Sequence, residues 1–416
     1  MCNSFRHSQL KLTDGIGMRT TLSSRDRMLK AINHQEPDHI PLFLKWWERP
    51  YLSDKGQPWA DQFERADRLL SLGLEDTVGF DVPRALSGDV KVKVWRTNPE
   101  GERFPLLHKE YDTPKGTLRQ VVRQTADWPH GDDIPIFSDF LVPSSRSVKY
   151  LVQEAKNLDV LSCLFRDLDE RELVDLRTEA EKVREFAEKR QILVECGMWS
   201  VAGREGGIVG GDALHWLCGV ENTMRKAFRD PDFIDRLLDI ILRWDMRYLN
   251  ALLDLGFVDI IVHRGWYENA DFWSPKLYER FLGPRIRKLI EKTHQAGAKF
   301  CYIMSMKQIP LLETMKEMGV DILYGLDPVQ GGTDLALAKK LAGDRICLWG
   351  GMNSAITLNH GSPEEIRSAV RVAIQTLSPG GGFIFSSIDQ VFEDTPWRNI
   401  EIMIDTWKSM CDYPVH

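Results

Sequence analysis

VDILYGLD (320–327), TDLALAKKLA (333–342), RICLWGG (345–351), SPEEIRSAVRVAIQTL (362–377) and GFIFSSID (382–389) follow one another with little between them. The first, third and last are short apolar runs without polar alternation, as expected of parallel strands buried on both faces. The second and fourth have helical periodicity. Ser362, Pro363 and Glu365 stand where an N-cap, a first helical proline and a capping-box acid belong. Upstream, QILVECG (191–197), VDIIVHR (258–264) and KFCYIMS (299–305) repeat the pattern, with helices expected at 219–228, 231–255 and 276–296. Weaker strand signals at 40–44 and 75–80 bring the strands to eight: 40–44, 75–80, 191–196, 257–262, 299–304, 320–326, 345–349 and 382–387. The expected fold is α/β, a single (β/α)8 TIM barrel over residues 23–416, sealed by a helix at 398–410.

Residues 84–150 break the pattern. VKVKVW (90–95) alternates with period two, and LHKEYDTPKGTLRQVVRQ (107–124) reads as two strands around a Pro-Lys-Gly turn. An antiparallel hairpin set inserted in the N-terminal third is expected, followed by helices near 147–157 and 168–189. Residues 1–22 have no apolar run of signal-peptide type and read as a flexible arm.

With 43% hydrophobic and 28% charged residues, the composition is that of a globular protein. A net charge of −7 without a basic block argues against nucleic acid, and no apolar run is long enough for a membrane span. The seven cysteines lack paired zinc spacing and fit a reducing, cytoplasmic compartment.

Barrel chemistry belongs at the C-terminal ends of the strands. Glu195, His263, Tyr302, Asp327, Asn353 and Asp389 fall at or just past those ends, with Arg264, Trp266, Tyr267 and Glu268 following His263. His263 reads as a general acid, as a metal ligand, or as a histidine bonded to a loop carbonyl. Glu195 and Asp327 with His263 make a candidate divalent-metal set, zinc for instance, with an ion-pair network to Arg264 or Arg204 as its competitor. Tyr302 and Glu268 complete the candidate catalytic group. Thirteen tryptophans are many, and Trp46, Trp47, Trp199, Trp216, Trp266, Trp273 and Trp349 lie beside strand ends, suggesting an aromatic substrate pocket together with Tyr267, Arg49, Arg264, Asn353 and Asp389. GREGGIVGG (203–211) lacks a P-loop's Lys-Ser/Thr ending and reads as a flexible loop.

SSRDRMLKAINHQEPDHIPLFL (23–44), WSPKLYERFLGPRIRKLIEKTHQAGAK (273–299) and the run from Gly319 to Ser387 resemble the uroporphyrinogen decarboxylase superfamily, which also contains corrinoid- and coenzyme-M-linked methyltransferases. The resemblance covers roughly residues 22–50 and 190–410. Porphyrinogen decarboxylases of that group carry an arginine-rich RQAGRY loop, where this chain has LKWWERPYL (44–52), keeping Lys45 and Arg49. The thiol-activating methyltransferases build zinc on a His-x-Cys, where this chain has Tyr302-Ile303-Met304. The resemblance therefore implies a methyltransferase that demethylates a small aromatic methyl ether or methylated amine and passes the methyl group to a separate corrinoid protein, and it implies a homodimer. A cofactor-independent decarboxylase of an aromatic or porphyrin-like carboxylate, using Asp81, Tyr302 and His263, stays open. So does a non-catalytic small-molecule-binding barrel.

Overall fold

The computed structural model describes residues 21–46, 59–197 and 207–414. Of the sequence-predicted features, Trp47, Arg49, Trp199, Arg204 and nearly all of the N-terminal arm lie outside those residues.

In chain order the strands are β1 (Thr77–Val78), β2 (Lys91–Thr97), β3 (Leu106–Thr113), β4 (Gly116–Arg123), β5 (Ser147–Lys149), β6 (Leu193–Gly197), β7 (Ile260–Arg264), β8 (Lys299–Ile303), β9 (Ile322–Leu326), β10 (Cys347–Asn353) and β11 (Phe383–Ile388). Strands β1 and β6 to β11 form one seven-stranded parallel sheet in that order. Its two edges are joined by residues 41–45. The Phe43 amide donates to the Phe385 carbonyl at 2.9 Å, and the Glu75 amide donates to the Leu42 carbonyl at 2.9 Å. Leu42 thereby bridges β11 and Phe43 bridges the chain leading into β1, both in parallel sense. The sheet closes on itself, with the eighth position held by single bridges rather than a ladder.

Strands β6, β7 and β9 to β11 are buried at every residue, which is why they show no alternation in the sequence. The N-terminal ends of the strands are fastened by ion pairs. Arg25 reaches Asp259 in front of β7, and Arg27 reaches Glu75 at 2.7 Å and Asp38 at 2.7 Å.

Strands β2 to β5 form the antiparallel insertion, in the order β2-β3-β4-β5. Thr113 faces Gly116 across the Pro-Lys turn, as the sequence indicates. The helix expected at 147–157 is instead β5, which pairs with Val121 and Val122, followed by a helix at Ala155–Leu161. Edge pairing outcompetes the helical tendency of so short a segment. The single helix expected at 276–296 is two, Pro275–Phe281 and Gly283–Gln295. Pro284 has no N–H to continue the first helix, so the chain restarts there. Among the described residues no helix is long and apolar enough to cross a membrane.

Candidate functional site

Side chains from strands that are not neighbours in the wall can meet only inside the cylinder, and this identifies the interior. Phe43 and Trp349, separated by β11, pack edge to face with centroids 4.9 Å apart. Tyr324 and Trp349 do so at 5.6 Å. Lys45 lies with Nζ 5.3 Å from the centre of the Tyr324 ring, across β10 and β11. Glu195 accepts from Thr77 Oγ1 at 2.9 Å. Cys301 belongs to the same chamber, since Glu195 and Lys45 act on its thiol in opposite directions while burial drives it well up. The Tyr324 hydroxyl donates to the Asp389 carbonyl at 2.7 Å, tying the wall to the loop after β11. The interior is thus lined with aromatic rings, and among its described residues are a buried carboxylate, Glu195, and a buried ammonium, Lys45.

The expected catalytic group divides. His263 and Tyr302 are paired across β7 and β8 but point outward. Tyr302 meets the Tyr278 hydroxyl of helix Pro275–Phe281 at 3.1 Å, and in a barrel the helices surround the strands. Glu268 lies between them, accepting from His263 Nε2 at 2.8 Å, from the Tyr302 hydroxyl and from the Gly211 amide. All three side chains are sealed from solvent. Burial pulls His263 toward neutrality, but Glu268, with Asp245 and Asp212 behind it, outweighs that and holds the imidazole above its ordinary value. This buried knot lies behind the barrel wall, not in the mouth.

Asp327 and Asn353 meet each other rather than His263. Asn353 Nδ2 donates to Asp327 Oδ2 at 2.7 Å, and Asp327 Oδ1 accepts the Val329 amide at 2.8 Å. Asn353 Oδ1 also accepts the Ile356 amide at 2.7 Å, so the pair shapes the loops leaving β9 and β10. The set His263, Glu195 and Asp327 is therefore not a metal site, because each ligand is turned to a different partner. Among the described residues no group of three His, Cys, Asp or Glu is placed to hold a metal. Tyr302-Ile303-Met304 supplies no replacement, since neither a phenol nor a thioether is an ordinary zinc ligand.

The rim after β7 carries a second constellation. Arg264 is fully buried and stacked on Trp266, 4.3 Å from the ring centre. Its guanidinium donates to Asp212 Oδ2 and to Asp139 Oδ2, each at 2.7 Å. Burial pushes the Asp212 carboxyl up to about 7 against the pull of Arg264. Asp139 comes from the insertion, where Phe137 anchors its segment against Trp216 and Trp244. Asp389 is half-buried between the two constellations. Burial holds its carboxyl up, while Lys45 and Arg264 pull it down and Asp139 and Asp327 push it further up. Tyr267 joins the rim cluster, Trp349 the chamber, and Trp46 packs edge-on against Trp59 at 5.0 Å. Asp81 is half-buried just past β1, within the field that Arg84 and Tyr248 feel.

Sequence reasoning missed Asp139, Asp212, Phe43 and Tyr324 as site residues. In strands buried on both faces nothing in the sequence marks Phe43 or Tyr324 as inward. Asp212 had a signal, an acid opening a short apolar helix, Asp212–Cys218. The 207–211 glycine run is no free loop in its described part: a Cβ on Gly210 would lie 2.2 Å from the His263 ring, and on Gly211 2.9 Å from Glu268.

The family model "Uroporphyrinogen decarboxylase (URO-D)" matches residues 210–410. The methylcobamide:CoM methyltransferase MtaA of Methanosarcina barkeri (strain Fusaro / DSM 804) is 26% identical over 194 residues, covering 45% of this chain and 52% of that one. The uroporphyrinogen decarboxylase of Psychromonas ingrahamii is 27% identical over 184 residues, covering 44% and 49%. The chain thus matches about half the length of these curated relatives. A solved methyltransferase from Methanosarcina mazei superposes with a TM-score of 0.54 over 93% of this chain and 99% of its own, at 16% identity, a likeness of fold.

Proposed function

We propose, for a chain that belongs through residues 210–410 to the uroporphyrinogen decarboxylase (URO-D) family, a methyltransferase activity toward a small aromatic methyl ether or methylated amine. The methyl acceptor would be a corrinoid carried by a separate protein. The observation that carries this reading is the aromatic interior: Phe43, Tyr324 and Trp349 stand together inside the barrel beside the buried Lys45, and the buried guanidinium at the rim, Arg264, is already paired with Asp212 and Asp139. A polycarboxylate substrate needs several guanidinium forks, whereas an arene or a methylated amine needs flat aromatic walls. The relatives named methylcobamide:CoM methyltransferase support the reaction class.

A reduced corrinoid supplies the nucleophile for the methyl group when its carrier docks at the barrel mouth. The residues of this chain do the rest. Tyr324 and Trp349 clamp the ring and fix the direction in which the methyl group faces the mouth. A departing aryl oxide is a poor leaving group unless its charge is met as it forms. Lys45, buried beside Tyr324, is placed to meet it and to supply the proton. Glu195 keeps the chamber's charge balanced around that ammonium. His263, Tyr302 and Glu268 act from behind the wall as positioning residues.

The second reading, a decarboxylase, is favoured by the matches to uroporphyrinogen decarboxylases and by Lys45, which suits a substrate carboxylate. One experiment separates the readings. Purified protein mixed with cob(I)alamin and a panel of methoxyarenes and methylamines forms methylcobalamin under the first. Carbon dioxide release without cobalamin would replace it with the second, and ligand-dependent melting shifts with neither product would leave a binding barrel.

A further inference from the structure

Three buried or half-buried donors on the barrel rim converge on one carboxylate, and that carboxylate is the chain's own. Arg264 Nη2 donates to Asp139 Oδ2 at 2.7 Å. The Tyr267 hydroxyl and the Trp216 indole N–H both donate to Asp139 Oδ1, at 2.9 and 3.1 Å. Trp216, Trp266 and Tyr267 also stack around the guanidinium, with ring centres 5.3, 4.3 and 5.4 Å away. The donors are desolvated and their geometry is fixed by packing, the features of a built carboxylate receptor. The carboxylate in it is the less buried partner: the Arg264 side chain is 0% exposed and that of Asp139 31%.

We infer that Arg264, Tyr267 and Trp216 form a binding site for a ligand carboxylate, and that Asp139 of the insertion is its tethered internal occupant. Arg264 pairs with Ile303, and Ile303 with Tyr324, across β7, β8 and β9, so the guanidinium stands on the same face of the barrel wall as the Tyr324 ring. On the methyltransferase reading, on which the identity of the ligand rests, the substrate class is a methoxylated aromatic acid. Its ring lies in the aromatic chamber and its carboxylate takes the place of the Asp139 side chain. Only one carboxylate fits at a time. Arg264 already faces Asp212, so a ligand acid beside Asp139 would put three anions around one guanidinium. Rotation of the Asp139 side chain toward solvent vacates the place while the buried Phe137 and Leu141 on either side keep the segment anchored.

The test is binding, measured without corrinoid so that it is independent of methyl transfer. Benzoate, 4-methoxybenzoate and the neutral isostere benzamide are titrated into the wild type, Asp139→Ala and Asp139→Asn by calorimetry, with circular dichroism as the check of folding. Removing the tethered competitor should tighten benzoate and 4-methoxybenzoate binding at least about tenfold in both variants, with no gain for benzamide, since an intramolecular occupant acts at roughly millimolar effective concentration. Adding Tyr267→Phe to either variant should reverse part of that gain. Folded variants that bind the acids no better than the wild type, or that gain equally for benzamide, would overturn the proposal and leave Asp139 as a strut between insertion and barrel. Failure of the methyl-transfer assay alongside tighter acid binding would leave the carboxylate site standing and remove only the substrate assigned to it.

Discussion

Glu268→Gln tests whether the knot behind the barrel wall is ionic. Glu268 accepts from His263 Nε2 at 2.8 Å, from Tyr302 and from the Gly211 amide, with none of these side chains exposed. Glutamine keeps the shape but removes the charge that holds His263 protonated. Breaking one side of a buried pair costs about 3–5 kcal/mol, because the surviving charge is left uncompensated. The pH dependence carries the sharper signature. The folded pKa of His263 is raised above 6.5. A group raised on folding contributes stability that is complete below its unfolded value and is lost as pH climbs through the folded one. The penalty of the variant should therefore be largest at about pH 6 and shrink above the folded His263 value, where the wild type has lost the same contribution. Asp245, raised by burial to about 6, does not cancel in the difference, because the His263 charge is among those that pull it down, so both proteins carry Asp245→Asn in this comparison. Asp212 does not cancel fully, because Glu268 is among the charges that raise it. Comparing Asp212→Asn with Asp212→Asn/Glu268→Gln removes that contribution. Urea unfolding followed by tryptophan fluorescence at about pH 6 and about pH 9 measures the penalty. A loss below about 1 kcal/mol, equal at both pH values, would mean that His263 is neutral and the knot is held by ordinary hydrogen bonds.

Lys45→Met should leave the melting temperature within a few degrees of the wild type while cutting methyl transfer about 10²–10³-fold, the usual cost of deleting one charge-stabilising donor, as measured by methylcobalamin formation. Asp245→Asn should flatten the fall in stability between pH 3.8 and about 6, since a carboxyl raised on folding is stabilising below its unfolded value and loses that contribution as pH rises through its folded one; unfolding midpoints across that range check it. Gly210→Ala places a methyl 2.2 Å from the His263 ring at a residue with φ of +47°, and should destabilise the fold by about 1–3 kcal/mol in the same urea assay.

The barrel was legible because its strands are buried on both faces and its helices carry punctuation: Ser362 with Glu365 and Asp230 with Pro231 stand where caps are found. That same double burial hid the site. A strand such as ILYGL presents apolar residues to chamber and helices alike, so strand position alone gave no reason to place Tyr324 inside and Tyr302 outside. Placement at a strand's C-terminal end proved a rule about level, not direction: of the five expected catalytic residues, His263, Tyr302 and Glu268 lie behind the wall. The insertion was legible as strands but not as a contributor to the site, because Asp139 lies in an irregular stretch more than a hundred residues from Arg264. What connects them is charge. A buried guanidinium must find carboxylates, and an arginine ending an apolar strand is itself a prediction that acids from elsewhere will reach it. The IIVHR of β7 therefore demands partners that no local pattern can name. Asp212 is one, supplied by the next layer of the barrel. Asp139, the more exposed of the two, is the one whose place a ligand can take.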